Sequence, residues 1–249
     1  MQDYIAASPA SKEILNSATL LKSLGVNALI SGSSGTGKKS LASYILPNTP
    51  IFQAKELQQD ISDNVLSINN QSIIVDKIEN ITNVELFLTW ANENDIRVIA
   101  TTSKEDLNSK LKDFFSITLF IPNLENRKED IKPLANKFSN EAMQILGANK
   151  KPEKLIINTS ENAISLRKSI YFSYLFESIG ENEIMMLLEK FMLDTMQGEN
   201  AYRDLVYLFE APLLRASQKK YKSQLQMSRH LGLNRITLRK KLEIHKDLL

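Results

Sequence analysis

Residues 27–44, NALISGSSGTGKKSLASY, decide the fold. Asn27 to Ser31 reads as a buried strand, and Lys38 to Tyr44 as the start of a helix. Between them the chain spells G-x-x-x-x-G-K, and three of its eight glycines fall in this one loop. In a strand-loop-helix of this kind the backbone N–H groups turn inward around phosphate oxygens. The glycines permit the necessary backbone angles, and the helix N-terminus adds partial positive charge. Gly32, Ser33, Ser34, Gly35, Thr36, Gly37, Lys38, Lys39 and Ser40 are therefore the candidate phosphate site, with Lys38 placed to reach the terminal phosphates. The position after the lysine is usually Ser or Thr, a Mg²⁺ ligand; here it is Lys39, with Ser40 one place late. A ligand-free glycine-serine turn is the competing reading.

Working outward, Ser72–Val75, Arg97–Ala100 and Ile117–Ile121 are short runs rich in β-branched residues, separated by helical stretches such as Val84 to Asn92. That alternation predicts a parallel sheet with crossover helices. Ser11 to Leu24 reads as a helix opening at Ser8-Pro9. Beyond Pro122 the strand signals nearly cease. Glu129–Gly147 and Ala163–Leu188 carry helical spacing, which predicts a helical lid subdomain, and Gly198 marks a break before a basic tail.

The chain has no cysteine, so disulfides, thiolate metal sites and a cysteine nucleophile are excluded. Its only histidines, His230 and His245, rule out a histidine-rich metal centre and argue against a serine-histidine triad. No apolar run approaches the roughly 18 to 20 residues of a membrane span, and the opening MQDYIAASPASKEI lacks the order of a signal peptide. The expectation is a soluble cytoplasmic protein with no membrane partner.

The net charge of +2 conceals a polarised distribution. Arg215 to Leu249 holds ten Lys/Arg against two acids, a net +8, and the remainder holds 21 against 27, a net −6. A basic tail on an acidic body is the footprint of a nucleic-acid-binding end, with a solvated lysine-rich helix as the plainer reading. Within that tail Leu225 to His230 reads as a short helix and Leu231-Gly232-Leu233 as a turn. Asn234 is an N-cap for a second helix, Arg235 to Leu242. In such a unit the second helix enters the major groove of double-stranded DNA. Asn234, Arg235, Thr237, Arg239 and Lys240 are the candidate contacts, while Ile236 and Leu242 are available to pack.

The loop resembles the GESGTGKE loop of the NtrC-type AAA+ activators of sigma-54 polymerase, in which an acidic residue follows the lysine. Ala7-Ser8-Pro9-Ala10 resembles that family's "ESPAM", Arg97 to Ser103 its sensor I strand, and Pro122 to Ile131 its "PPLRERKEDI". Glu210-Ala211-Pro212-Leu213-Leu214 and Leu231 to Leu242 are similar to the "ERPLL" and "LGINRNTLRKKL" segments of the Fis-type domain attached to these activators. The resemblance spans essentially the whole chain. It implies ATP or ADP as ligand, with Asp76, at the end of a strand, holding Mg²⁺ through the nucleotide. It also implies a dimer or higher homo-oligomer on DNA.

Against the same pattern several parts are missing. Lys77 stands where the water-polarising glutamate belongs, and Glu79 would need a different backbone path to replace it. No arginine lies between Arg97 and Arg127 to act as a finger, and Lys110 and Lys112 cannot make the forked contact. Ser103 aligns with the sensor I asparagine, and Ile164 with the sensor II arginine, Arg167 being nearest. No GAFTGA loop occurs. The expected architecture is α/β: a degenerate AAA+ parallel-sheet subdomain over 1–131, a helical lid and linker over 132–197, and an all-α Fis-type helix-turn-helix domain over 198–249. The expected function is a sequence-specific DNA-binding transcription regulator that binds ATP or ADP without hydrolysing it. RNA polymerase contact stays open and sigma-54 remodelling is not expected. The alternatives are an active ATPase of the sigma-54 activator type and a nucleotide-free adaptor.

Overall fold

The computed structural model describes residues 4–249, in two compact units that divide between Ser178 and Ile179. The first unit runs α1 (Pro9–Ser23), β1 (Ala28–Ser31), α2 (Lys38–Ile45), β2 (Ile51–Gln53), α3 (Ala54–Ser62), β3 (Ser72–Asp76), α4 (Val84–Glu93), β4 (Arg97–Thr102), α5 (Ser109–Phe114), β5 (Ile117–Phe120), α6 (Ile131–Leu146) and α7 (Ala163–Ser178). The five strands form one parallel sheet in the order β2-β3-β4-β1-β5. Parallel strands need crossovers, and the helices of those crossovers cover both faces of the sheet.

Strand side chains alternate between the two faces, and each face has its own core. Leu29, Ile73, Val75, Val98 and Ala100 pack with Leu57, Phe87 and Leu111 of α3, α4 and α5. Ala28, Ile30, Ile74, Ile99 and Leu119 pack with Ala18, Leu21, Leu41 and Ile45 of α1 and α2. Lys38 and Asp76 therefore come to the same edge, the carboxyl ends of β1 and β3, where a doubly wound sheet places its ligands. α6 and α7 form a third core through Phe138, Ala142, Leu166 and Ile170.

The sequence reading anticipates α1, β1, α2, β3, α4, β4, β5 and the helix that becomes α6. It does not anticipate β2, a three-residue strand at the sheet edge with Ile51 exposed, or α3 and α5. A strand that short leaves no alternation to read. The apolar spacing over Ala163–Leu188 is not one helix. α7 ends at Ser178, and Gly180, extended at φ −92° and ψ −175°, caps a new helix at Glu181.

The second unit is helical: α8 (Glu181–Thr195), α9 (Ala201–Leu205), α10 (Tyr207–Lys220), α11 (Gln224–His230) and α12 (Arg235–Ile244), with a final 3-10 turn at Lys246–Leu248. Where the sequence reading starts its third segment at 198, α8 groups with the later helices. Leu214, Met227 and Leu238 form the small core of α10, α11 and α12. No helix among the described residues is long and apolar enough to cross a membrane.

Candidate functional site

The loop between β1 and α2 takes the backbone course its glycines allow. Gly32 sits at φ 147°, and a Cβ there would meet the Ile121 carbonyl oxygen at 2.5 Å; Gly35 sits at φ 75°, and its Cβ would meet the Glu161 carbonyl at the same distance. Alanine at either position would collide with main chain, so both are glycines for steric reasons. Gly37, at φ 101°, caps α2 without a side-chain hydrogen bond, which leaves the first-turn N–H groups of that helix open to an anion.

Two adjoining pockets flank the loop. One, of about 350 Å³, is lined by Ser34 to Ser40 with Asp76, Lys77, Ser103, Ala163 and Ile164. The other, of about 290 Å³, is lined by Tyr4, Ile5, Arg127, Leu134 and Phe138 among others. Both reach Thr36, Gly37, Ser40 and Ala163. The first holds Lys38, Lys39 and Lys77 against Asp76; the second combines an aromatic and aliphatic wall with the charged Arg127, Lys137, Glu141 and Arg167. The lid closes over the loop directly: Ala163 N donates to Gly35 O at 3.0 Å and Asn162 Nδ2 to Ser34 O at 2.9 Å. Ile164 packs beside Gly35. Arg167 lines the second pocket, where its Nε donates to Glu141 at 3.1 Å and its Nη2 to the Tyr171 hydroxyl at 3.2 Å.

Lys38 is bound inward. Its Nζ donates to Gly32 O at 2.6 Å, Ser33 O at 2.7 Å and the Ser103 hydroxyl at 2.9 Å. Burial lowers its pKa, opposed by the nearby Glu79 and Asp76 carboxylates. Asp76 accepts from the Thr101 hydroxyl at 2.7 Å on Oδ1, and its Oδ2 lies 2.8 Å from Lys39 Nζ in an ion pair. Burial raises its pKa, yet the contacts with Lys39, Thr101 and Gln53 outweigh that and hold the carboxyl below the ordinary carboxylate range.

This donor set does not fit Mg²⁺. The ion demands a near-octahedral shell of oxygens at about 2.0–2.1 Å. Here the Asp76 carboxylate is paired with an ammonium, Glu79 is held to Ser103 N, and the position after Lys38 supplies a second cation instead of a hydroxyl or carboxylate. Among the described residues no group of three or more His, Cys, Asp or Glu could hold a metal.

Lys77 adopts the left-handed conformation, φ 57° and ψ 56°, and leads into a 3-10 turn over Ile78–Asn80. That turn is the different backbone path Glu79 needs. Its Oε1 accepts from Ser103 N at 3.2 Å, on the same residue whose hydroxyl holds Lys38, and its Oε2, like Oδ2 of Asp76, is buried with no hydrogen-bond partner among the described residues.

Two residues beside the site that the sequence reading quotes but gives no role are Arg127 and Asp130, both essentially buried at 2% and 0% exposure. Asp130 Oδ1 accepts from Ala7 N and Ser8 N at 2.7 Å each, while Oδ2 accepts from the Ser8 and Ser11 hydroxyls and pairs with Arg127 Nη1 at 3.3 Å. Arg127 Nη2 donates to Thr36 O at 2.6 Å and Nε to Pro122 O at 2.9 Å. One guanidinium thus ties the start of α1, the phosphate loop and the segment leading to the lid. An arginine and an aspartate three apart in an otherwise solvent-facing pattern are the only sequence signal for it.

In the second unit α11 ends in a Schellman motif. Gly232 takes φ 64°, Leu233 N donates to Ser228 O at 3.0 Å and Gly232 N to Arg229 O at 3.3 Å. Asn234 then caps α12, its side chain accepting from Ile236 N at 2.9 Å. Leu238 is fully buried and Leu242 packs beside it, while Ile236 stays 66% exposed. Arg235, Thr237, Arg239 and Lys240 lie on the exposed face, and among the described residues none of these three cations forms an ion pair. Lys241 and His245 do not belong to that face. Both pair with Glu210 of α10, His245 Nε2 at 2.9 Å from its carboxylate, and these contacts hold Glu210 below its ordinary pKa.

No family model and no curated protein matches the chain. Among solved structures, NtrX from Brucella abortus in complex with ATP aligns with a TM-score of 0.57 over 99% of this chain and 69% of that one, at 18% identity. Its ADP complex aligns with a TM-score of 0.54 over 98% and 69%, at 14% identity. A further structure of the same protein gives 0.53 over 98% and 69%, at 16%. At such identities the likeness is one of fold: a mixed α/β chain built on a five-stranded parallel sheet.

Proposed function

We propose that this chain is a sequence-specific DNA-binding regulator of the NtrC-like type, with a Fis-type helix-turn-helix at its carboxyl end and a P-loop module that binds ATP or ADP without hydrolysing it. The observation that carries the reading is α12. Its helix is capped at Asn234, held by Leu238 and presents Arg235, Thr237, Arg239 and Lys240 to solvent, the three cations without an ion pair among the described residues. A short helix fixed by its inner face, with forked cations on its outer face, is suited to read base edges in a major groove. Salt-sensitive duplex binding tests it, with log affinity falling linearly against log salt.

Nucleotide binding is supported by the open first turn of α2 and by the two pockets around it. The NtrX neighbours were crystallised with ATP and with ADP. The absence of turnover is argued from Lys77 in the glutamate position and from Ile164 over the loop. Such a module would sense nucleotide or hold an assembly, and would not drive sigma-54 polymerase.

The DNA-bound form is a homodimer or larger assembly, and α8 supports this. None of its residues is buried, although Ile184, Leu187 and Phe191 recur on one side and are 48%, 60% and 47% exposed. A second copy covers that stripe. Phe191→Asp is expected to lower the mass measured by light scattering while leaving helical content unchanged, because Phe191 is not part of a buried core among the described residues.

One observation favours the rival reading, an active ATPase: Glu79 reaches Ser103 beside Lys38. Phosphate release at saturating DNA separates the two. The account predicts no turnover above buffer; turnover that is abolished by both Lys38→Ala and Glu79→Gln establishes the rival.

A further inference from the structure

We infer that the ammonium of Lys39 takes the place of the divalent cation at this site, so that the loop binds a nucleoside di- or triphosphate without Mg²⁺. The inference rests on the reading that the loop binds nucleotide at all, and it adds how the charge of that ligand is met. Lys39 lies in the first turn of α2, one residue after Lys38, and its Nζ sits 2.8 Å from Oδ2 of the buried Asp76. Thr101 occupies the other carboxylate oxygen. One oxygen of Asp76 thus accepts from Thr101, and the other, which accepts no hydrogen bond among the described residues, faces a full positive charge in an ion pair.

The lysines divide the work. Lys38 has spent its three N–H donors on Gly32, Ser33 and Ser103, and must release some of them to reach a phosphate. Among the described residues Lys39 has a single ion-pair partner, and its side chain is 52% exposed. It lines the phosphate pocket together with Lys77 and has donors to spare on the ligand side. An ammonium between a carboxylate and a phosphate does electrostatically what a bridging cation does, neutralising both, but as a tethered point charge with no coordination shell to satisfy. A divalent ion brought to the same carboxylate would meet Lys39 as a like charge at close range, in a partly buried site where screening is weak. Three lysines against Asp76 and Glu79 make the pocket cationic, which matches a polyphosphate and opposes Mg²⁺.

The test is nucleotide affinity of the full chain, measured by calorimetry with ADP and with ATP, in saturating Mg²⁺ and in excess chelator. The wild-type protein is expected to give the same dissociation constant in both within about twofold. Lys39→Ser should bind about tenfold more weakly in chelator, the loss of one charge-assisted contact, and regain affinity when Mg²⁺ is added. Lys39→Arg keeps the charge and should stay indifferent to Mg²⁺, and thermal melting of each variant checks that it folds. A wild-type affinity that drops tenfold or more in chelator overturns the inference and leaves nucleotide binding standing. Absence of binding under both conditions overturns nucleotide binding itself, and this inference with it.

Discussion

Asp130→Ala should lower the stability of the first unit by about 3–5 kcal/mol, the cost of leaving a buried charge without its partner. The arithmetic follows from what Asp130 holds. Its two oxygens accept from Ala7 N, Ser8 N, Ser8 Oγ and Ser11 Oγ, and pair with Arg127. Truncation leaves the Arg127 guanidinium, 2% exposed, facing two unsatisfied N–H groups and two hydroxyls. For a unit of this size the loss corresponds to a fall of about 6–20 °C in the melting temperature. Circular dichroism of the whole chain reads it directly. The double variant Arg127→Ala/Asp130→Ala should cost less than the sum of the singles, because each single strands what the other removes. A melting temperature within about 1 °C of wild type for Asp130→Ala would mean that the network contributes nothing.

The second large effect belongs to α12. Arg235→Ala together with Arg239→Ala should weaken binding to the specific duplex by about 2–6 kcal/mol, at about 1–3 kcal/mol for each base contact. Neither side chain packs on the small core of Leu214, Met227 and Leu238, so helical content and melting should not change. Binding to unrelated duplexes, carried by phosphate contacts from the wider basic tail, should fall much less. If the specific and non-specific affinities drop together, the two arginines are phosphate contacts and the bases are read elsewhere.

Much of this was legible in one dimension because the relevant physics is local. β3 and β4 declare themselves as β-branched runs, and burial of both sheet faces follows from their lack of polar alternation. Gly232 at positive φ and Asn234 as a cap are local backbone chemistry, and both could be placed from residue type alone. What escaped is long-range or conformational. The Lys39–Asp76 pair joins residues of two different strand-helix units, and no spacing rule connects them. Glu79 comes back to the loop only because Lys77 takes a left-handed conformation that a lysine seldom adopts. The Arg127–Asp130 pair is a buried salt bridge made by residue types that patterning assigns to the surface. The division between α7 and α8 was hidden because apolar spacing continues across Ile179 and Gly180, although the helix does not.

Lys39 also gives the proposed function a physical logic. On that reading a loop whose aspartate is paired with a tethered ammonium would keep the means to hold phosphates while lacking the metal-centred charge that phosphoryl transfer uses. Binding without turnover would then be a property of the site's charge arrangement.

The most direct test of the DNA-binding claim is selection of bound duplexes from a random pool by the full-length protein at physiological salt. The enriched duplex is then titrated against its scrambled counterpart. The account predicts enrichment of a two-fold-symmetric site whose half-sites lie about one duplex turn, roughly 34 Å, apart, bound at least about a thousandfold more tightly than the scramble. Recovery of no consensus, or equal affinity for the two duplexes, would contradict it.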